Sequence, residues 1–374
     1  MKKYSLVVLF LILIPSVFIY GVLVGTYKIY PYDLMDSAKS IISNEKNILN
    51  EENSIVKNDV KSLISIKSES DIFNLKNNLI DFIWKDKRFP YSKLPDSVQS
   101  NILDSRYAEL NNLKRIDQIK ILMEYEVDSV SYLFIPESSN GKLIIYHQGH
   151  GGDFYRGKET IQFFLEKDFS VLAFSMPLLG MNNQPIIETN NFGKIKLVSH
   201  EHFRFLDSSD FSSIKFFIEP IAVSLNYLDK EYEFSSYHMV GISGGGWTTT
   251  IYPAIDERIS KSYSIAGSLP IYLRTNPQNY GDYEQWLPEL YQQANYLEIY
   301  VMNSYGENRE FTQIFNKYDP CCFSGDLFKS YENEVEELIS ELGSGSFVIY
   351  LDDTHKKHEI SETTLEFIFS SLKN

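Results

Sequence analysis

The sequence contains very little cysteine. Only two cysteines occur, Cys321 and Cys322, and they are adjacent. Neighbouring cysteines cannot build the disulfide framework of a small secreted domain, and they lack the Cys-x-x-Cys spacing of zinc sites and redox motifs. No histidine is adjacent to them in sequence, so the two thiols are expected to be small packing residues or a strained adjacent disulfide, not nucleophiles.

Basic residues are also in the minority. The chain has 35 Lys and Arg against 50 Asp and Glu, which gives a formal net charge of -15. This charge opposes long-range attraction to a phosphate backbone or to an anionic bilayer surface. We therefore expect no nucleic-acid partner. Internal repeats are absent as well, and a hydrophobic content of 43% predicts one large domain with a short appendage.

One long hydrophobic run lies at the N-terminus. Tyr4 to Gly25 carries no charge, and as a helix it is about 30 Å long, enough to cross a bilayer core. Lys2 and Lys3 precede it, which by the positive-inside rule places the rest of the chain outside the cytoplasm. No Ala-x-Ala site follows, which favours an uncleaved single-pass anchor. A cleaved signal peptide, giving a secreted or periplasmic protein, is the alternative.

The hydrophobic pattern divides the chain into three predicted regions. They are a membrane anchor (residues 1–30), a helical stalk and linker (31–115) and the main domain (116–374). In the stalk, apolar residues recur every three or four positions from Leu34 to about Ile66, which predicts an amphipathic helix. A second helix is predicted from Ile72 to Trp84.

Beyond residue 116, short apolar strands alternate with helices. Ile119 to Glu126 and Ser129 to Pro136 read as an antiparallel pair. Further strands are predicted at Lys142 to His147 and Ser170 to Phe174. Strands that alternate with helices predict an α/β fold, in which a mostly parallel central sheet carries helices on both faces.

The most informative motif is Gly241-Ile-Ser243-Gly-Gly245. It follows the apolar strand Tyr237 to Val240 and leads into a predicted helix. Glycines two before and two after the serine are needed because the strand-to-helix turn leaves no room for side chains, and its strain lifts the hydroxyl clear of the sheet. Ser243 is therefore the predicted nucleophile of a nucleophile elbow. An ordinary glycine turn is the structural alternative.

The order of these elements, with the elbow on the third parallel strand after an antiparallel pair, resembles the α/β-hydrolase superfamily. The resemblance covers roughly residues 116–374 and implies an α/β-hydrolase fold. It also implies that the acid and the histidine follow the nucleophile along the chain, in that order.

Two histidines follow Ser243 in the sequence, His355 and His358. Ser361 has the position of an N-cap for a last helix from Glu362 to Leu372. In the α/β-hydrolase superfamily the catalytic histidine lies just before the last helix, so the resemblance favours His358. His355 is the alternative.

For the acid, a short apolar strand ends at Asp319-Pro320, one helix and one strand before His358. Similar segments of the family place the triad carboxylate there, so the resemblance favours Asp319. Glu307 is the alternative, because it follows the apolar run Leu297 to Met302, which is read as an earlier strand. Asp352 and Asp353 are expected to be surface charges at a strand end.

A tetrahedral intermediate needs two backbone N–H donors for its oxyanion. Gly244, directly after the nucleophile, is predicted to supply one. The loop after the first parallel strand, His147-Gln-Gly149-His150-Gly-Gly, resembles the family's oxyanion turn with one residue interposed. The amide of His150 is predicted to be the second donor, with that of Gly149 left open.

Other candidate sites are weaker. His200-Glu-His202 has a spacing that can chelate a metal, but no further ligands follow at a recognisable spacing. Serine chemistry needs no metal, so neither a metal nor a cofactor is predicted. Arg274 is a candidate contact for an anionic substrate group, although a surface arginine is the commoner outcome.

Together these residues predict a membrane-anchored serine hydrolase that cleaves an ester through an acyl-enzyme. The substrate is expected to be a small-molecule ester or a glycan or lipid ester of the cell envelope. A serine peptidase or amidase is an alternative, but the first 115 residues lack the repeated strands of a propeller. A non-catalytic anchored binding module is the other alternative, and the order Ser243, Asp319, His358 argues against it.

Overall fold

The computed structural model describes residues 57–85 and 88–373, together with residues 15–17, 20, 21 and 24. Most of the predicted membrane span and most of the predicted helix from Leu34 to Ile66 lie outside the described residues and stay predictions. The described end of that helix, residues 57–66, contains only a short 3-10 helix at Val60–Leu63, so the prediction is wrong there. Within the described part, no helix is both long enough and apolar enough to cross a bilayer. By its contacts the chain divides into residues 1–53 and 54–374, and the elements below belong to the second unit.

A nine-stranded sheet forms the centre of this unit, and a separate two-stranded ribbon lies outside it. The strands are β1 (Ser97–Gln99), β2 (Leu113–Leu122), β3 (Asp128–Pro136), β4 (Lys142–His147), β5 (Ser170–Phe174), β6 (Ile186–Thr189), β7 (Gly193–Lys196), β8 (Ser236–Ile242), β9 (Ile259–Ile265), β10 (Glu310–Asn316) and β11 (Ser346–Asp352). In the sheet their order is β1-β2-β3-β5-β4-β8-β9-β10-β11, and β6 pairs with β7.

The sheet is antiparallel at one side and parallel over the rest. β1, β2, β3 and β5 pair antiparallel, whereas β5, β4, β8, β9, β10 and β11 run parallel. The predicted antiparallel pair is thus β2 and β3, and the elbow follows β8, the third parallel strand along the chain. Every residue of β5 is buried, as expected for a parallel strand that is covered on both faces.

Helices cover both faces of the sheet. They are α1 (Glu69–Trp84), α2 (Lys158–Leu165), α3 (Lys215–Glu231), α4 (Gly244–Ile255), α5 (Tyr283–Trp286), α6 (Pro288–Tyr291), α7 (Tyr296–Ser304), α8 (Glu332–Leu342) and α9 (Glu362–Lys373). Apolar side chains of α2 and α9 belong to one core cluster, and those of α1, α3, α4, α7 and α8 belong to the other. The predicted mostly parallel sheet with helices on both faces is confirmed.

The segment before β2 packs on the same core as the strands. Ile83 and Trp84 of α1 are buried in the larger core cluster, and the Trp84 indole N–H donates to the Glu219 carboxylate over 2.8 Å. Strand β1 adds to the edge of the sheet. From residue 60 onwards, the described part of the predicted stalk and linker therefore contributes to the core of the main unit.

The run Leu297 to Met302, read above as a strand, is part of helix α7, so that prediction is wrong. Every residue of α7 is buried, and a helix that is buried on all sides shows no polar face from which its period could be recognised. A capping box starts it. The Asn295 side chain accepts from the Leu297 and Glu298 amides, and the Glu298 carboxylate accepts from the Asn295 amide.

Candidate active site

Ser243 occupies a strained backbone position between β8 and α4. Its φ of 57° and ψ of -124° lie in a region that non-glycine residues rarely adopt, and such strain clusters at functional sites. The Ser243 amide donates to the Ile265 carbonyl of β9 over 2.9 Å, which anchors the turn to the sheet. The geometry is that expected of a nucleophile elbow.

The glycines of the motif are required by close backbone contacts. A Cβ atom on Gly241 would lie 2.2 Å from the Gly245 carbonyl oxygen, and one on Gly245 would lie 2.0 Å from the His147 carbonyl oxygen. The first turn of α4 therefore sits directly against the end of β4. Side chains at either position would push the serine out of place.

Ser243 and His358 both lie in the wall of one cavity of about 450 Å³. Its wall is largely polar and includes Gln148, Arg156 and Glu159. The Ser243 hydroxyl is not hydrogen-bonded to the His358 ring in the structure. Catalytic hydrogen bonds of this kind are often long without substrate and tighten in the complex.

His358 is held by a buried carboxylate. Its Nδ1 atom lies 2.6 Å from Oδ2 of Asp319, and Asp319 is only 1% exposed. The other oxygen of Asp319 accepts the Cys321 amide over 2.8 Å. Burial lowers the pKa of His358, but the hydrogen bond and the charge of Asp319 raise it more, so the pKa lies above its usual 6.5. The structure thus places His358 and Asp319, the predicted base and acid, in direct contact.

Asn316, at the end of β10, connects the two loops that carry this pair. Its side-chain amide donates to the Glu359 carbonyl over 2.9 Å, and Asp319 follows it by three residues. This contact links the loop after β10 to the loop before α9. The sequence analysis did not identify Asn316, since a single asparagine at a strand end carries no recognisable signal.

The two alternative residues occupy other places. The ring of His355 is turned toward Asp352, with Nε2 at 3.4 Å from its carboxylate. Glu307 is exposed in the turn before β10. Since β8 and β10 run in the same direction, that turn lies at the edge of the sheet opposite to Ser243.

Asp352 is not a surface charge, so this expectation is wrong, whereas Asp353 is exposed as expected. Asp352 is 1% exposed and accepts hydrogen bonds from the hydroxyls of Ser361 and Thr364. Ser361 also accepts the Thr364 amide over 3.0 Å, as expected for the N-cap of α9. Burial raises the pKa of Asp352, but these hydrogen bonds, including those from Thr354, outweigh it and lower the pKa to about 2.

The loop after β4 packs against the elbow at the predicted donors. The Gln148 amide is already used, because it donates to the Phe174 carbonyl over 2.9 Å. A Cβ atom on Gly149 would lie 2.6 Å from Cβ of Ser243, and one on Gly244 would lie 2.4 Å from Cε1 of His150. Gly149, His150 and Gly244 therefore meet beside Ser243. Which loop amide serves the oxyanion stays a prediction.

The side chain of His150 belongs to a group of ionisable residues that the sequence analysis missed. Its Nε2 atom lies 2.8 Å from Asp282 and 2.9 Å from Glu284, and Nδ1 of His200 lies 3.2 Å from Glu284. Burial lowers the pKa of His150, but the two carboxylates raise it to about 10. His202 is not part of the group, because its ring accepts the Val198 amide.

Arg274 and the two cysteines are the remaining candidates from the sequence. Arg274 is 4% exposed, and its guanidinium donates to the carbonyls of Leu269 and Gln285. It is therefore neither a surface residue nor a group that faces the Ser243 cavity. Cys321 and Cys322 are free thiols next to Asp319.

Comparisons with known proteins identify the fold. No family model matches the sequence, and no curated protein matches it by sequence. Among solved structures, an acetyl xylan esterase from Paenibacillus sp. R4 is similar with a TM-score of 0.52 and 14% identity, over 84% of this chain and 98% of that chain. Acetyl xylan esterase 1 from Thermoanaerobacterium sp. JW/SL YS485 is similar with a TM-score of 0.52 and 13% identity, over 83% and 96%.

A glucuronoyl esterase from Solibacter usitatus is similar with a TM-score of 0.58 and 11% identity, over 86% of this chain and 99% of that chain. Each alignment spans nearly the whole of the other protein and includes most of the elements described above. At these identities the similarity establishes the fold alone. The chain has the fold of the α/β-hydrolase superfamily, as the resemblance in its sequence implied.

Proposed function

We propose that the protein is a serine hydrolase that cleaves an ester through an acyl-enzyme. Ser243 is the nucleophile, His358 the general base and then acid, and Asp319 the carboxylate that orients His358. One observation carries this proposal. Ser243, with its strained backbone, and His358 line the same cavity, and the His358 ring is hydrogen-bonded to the buried Asp319. This is the arrangement of groups that activates a serine hydroxyl.

In the first half of the reaction, Oγ of Ser243 attacks the ester carbonyl carbon while Nε2 of His358 takes the hydroxyl proton. The carbonyl electron pair moves to its oxygen, and the amides of Gly244 and of His150 or Gly149 stabilise that charge. When the intermediate collapses, the bond to the alcohol oxygen breaks. The leaving alkoxide takes the proton from His358, and the acyl group stays on Ser243.

In the second half, water replaces the alcohol. The water oxygen attacks the acyl carbon while His358 takes a proton from the water. His358 then returns this proton to Oγ of Ser243. The carboxylic acid leaves and the serine is restored. Asp319 accepts the Nδ1–H of His358 throughout, which keeps Nε2 available for the proton and stabilises the imidazolium.

For the substrate, we propose an ester of a carbohydrate. The cavity wall contains Gln148, Arg156 and Glu159, and such polar groups suit a hydroxyl-rich group better than a long acyl chain. The acetyl xylan esterases and the glucuronoyl esterase share the fold, and their names agree with this proposal. A lipid ester would need an apolar wall.

Labelling by a fluorophosphonate probe tests the proposed chemistry. The wild type should be labelled, and Ser243→Ala should not be, whereas Ser235→Ala, which removes an exposed hydroxyl, should label like the wild type. Equal labelling of Ser243→Ala and the wild type would contradict the assignment. An unlabelled wild type would favour the non-catalytic binding module.

Hydrolysis assays then test the substrate class. We expect release of acetate from acetylated xylo-oligosaccharides and from p-nitrophenyl acetate, with much slower turnover of p-nitrophenyl palmitate. Cleavage of peptide p-nitroanilides at rates above those of the acetyl esters would replace the esterase by the peptidase alternative.

A further inference from the structure

Beside the oxyanion loop, four side chains bring their ligand atoms within 4.8 Å of one another. Three segments supply them: the loop after β4, the turn at residues 200–205 and the start of α5. The members of this histidine–carboxylate cluster are His150, His200, Asp282 and Glu284. The proposed hydrolysis uses none of these side chains, since it takes only a backbone amide from the loop.

His200 turns one ring nitrogen toward the cluster. Its Nε2 atom lies 2.9 Å from the Pro177 carbonyl oxygen, and because a carbonyl only accepts, Nε2 donates this hydrogen bond. The other ring nitrogen, Nδ1, faces Oε2 of Glu284 at 3.2 Å. A backbone carbonyl that fixes the tautomer in this way is the usual outer contact of a metal-binding histidine.

Glu284 has an unsatisfied buried oxygen. The residue is 0% exposed, and Oε2 makes no hydrogen bond, whereas Oε1 lies 2.9 Å from Nε2 of His150. Leaving a carboxylate oxygen without a partner in the interior is costly. Nδ1 of His200 lies 3.2 Å from this oxygen without forming a hydrogen bond to it. A bound cation would contact the carboxylate oxygen and the ring nitrogen together.

We propose that the histidine–carboxylate cluster binds one divalent transition-metal ion of the zinc type. Two imidazole nitrogens and two carboxylate oxygens form a four-ligand set that suits Zn²⁺, and two carboxylates balance its charge. The ion replaces the proton on Nε2 of His150, which is released to solvent. Three contacts of 2.8 to 3.2 Å join these residues, and the four ligand atoms all lie within 4.8 Å of one another. Tetrahedral zinc sites place neighbouring donors about 3.3 Å apart, so the side chains must shift when the ion binds.

The ion would tie together the segments around the nucleophile. The His150 ring lies against Gly244, where a Cβ atom would meet Cε1 at 2.4 Å. Fixing His150 through the ion therefore fixes the loop whose amides face the elbow. Asp282 has a side chain that is 48% exposed, which provides a path for the ion to enter. This site goes beyond the proposed function, and binding of the ion does not depend on it.

Zinc titration tests the site directly. The full-length chain, purified in a non-ionic detergent and stripped with EDTA, is titrated with Zn²⁺ by isothermal calorimetry, with Mg²⁺ as the comparison ion. We expect one Zn²⁺ per chain and no Mg²⁺ binding. Glu284→Gln and His200→Ala should each weaken zinc binding about 100-fold, and Asp282→Asn about 10-fold.

Two control variants separate this site from other ligands. His202→Ala removes the other histidine of the His-x-His motif. The double variant Cys321→Ser, Cys322→Ser removes thiols that, with His358, form a second group of possible ligands. Both should bind zinc like the wild type. Loss of binding in the cysteine variant would move the site and overturn the proposal.

A wild type that takes up no zinc would also overturn it, as would unchanged affinity in Glu284→Gln and His200→Ala. If these two buried variants fail to fold, as judged by circular dichroism, Asp282→Asn decides the question, because its side chain is half exposed. Wild-type affinity in a folded Asp282→Asn variant would then contradict the four-ligand site.

Discussion

Nδ1 of His358 lies 2.6 Å from Oδ2 of Asp319, although 39 residues separate them in the chain. The carboxylate is buried and can only accept, so Nδ1 carries the proton and Nε2 is left with a free electron pair. The loop after β10 and the loop before α9 together create this tautomer. It is the form of imidazole that can take a proton from a serine hydroxyl.

The first prediction separates the two histidines near the C-terminus. His358→Ala should lower kcat by about 10⁴-fold or more, because no other histidine of the described residues lines the cavity with Ser243. His355→Ala should keep most of the activity, since its ring is turned toward Asp352. Steady-state hydrolysis of p-nitrophenyl acetate measures both. A larger loss in His355→Ala would exchange their roles.

The second prediction concerns Asp319 and pH. The activity requires neutral His358, and Asp319 raises the pKa of that ring above 6.5 despite its burial. In the wild type kcat/KM should therefore rise with pH, with a midpoint above 6.5. Asp319→Asn should lower kcat by about 10⁴-fold. It should also move the midpoint to lower pH. The charge of Asp319, which raises the pKa of His358, is lost, whereas the burial that lowers this pKa remains.

Glu307→Gln is the matched control for this change. Glu307 is exposed at the opposite edge of the sheet, so both its rate and its pH profile should match those of the wild type. If Glu307→Gln were the slower enzyme, or if the midpoint of Asp319→Asn stayed in place, Asp319 would not be the orienting carboxylate.

The third prediction tests the contact between the oxyanion loop and the elbow. A Cβ atom on Gly149 would lie 2.6 Å from both the Ile242 carbonyl oxygen and Cβ of Ser243. Gly149→Ala must therefore push the loop away from the nucleophile. Losing one donor to the oxyanion typically costs 10²- to 10³-fold in kcat, and we expect a loss of about that size.

Gly151→Ala is the control within the same loop, because its Cβ atom would meet nothing closer than 3.5 Å. It should retain wild-type kcat and KM. Thermal melts of both variants show whether the effect is local. Full activity in a folded Gly149→Ala variant would mean that the loop does not approach the elbow as closely as described.

The fold was largely predictable because its signals are local. The strand before Gly241, the glycine spacing and the following helix lie in one short segment, and the paired strands β2 and β3 are neighbours along the chain. Helix α7 was misread because all its residues are buried. In the run Leu297 to Met302 even the polar residue, Glu298, is buried, so the pattern cannot distinguish a buried helix from a buried strand.

The candidate site could be predicted only where the family resemblance applies. That resemblance favoured Asp319 at a strand end and His358 before α9; the structure brings the two side chains into contact, and their roles stay predictions. The burial of Asp352 could not be predicted, because it depends on hydrogen bonds from Ser361 and Thr364 at the start of α9. The histidine–carboxylate cluster joins three distant segments, so neither spacing nor composition reveals it. His200 was noticed, but its partner was sought at His202 instead of at Glu284.

The last prediction concerns the N-terminal run from Tyr4 to Gly25, which the described residues do not test. Its length, its lack of charge and the two lysines before it predict an uncleaved anchor. The full chain should fractionate with membranes, resist extraction by salt or carbonate and dissolve in detergent. A soluble mature chain that starts near residue 26 would instead indicate signal-peptide cleavage and a secreted or periplasmic protein.

Deleting residues 1–30 separates anchoring from chemistry. The compact unit that contains the sheet starts at residue 54, and the proposed catalytic groups lie beyond His147, so the shortened chain should be soluble and should hydrolyse p-nitrophenyl acetate at the full-length rate. Membrane association of the shortened chain would place the anchor elsewhere. A soluble but inactive product that keeps its circular dichroism spectrum would mean that the first 30 residues contribute to the site, in conflict with their predicted role as a membrane anchor.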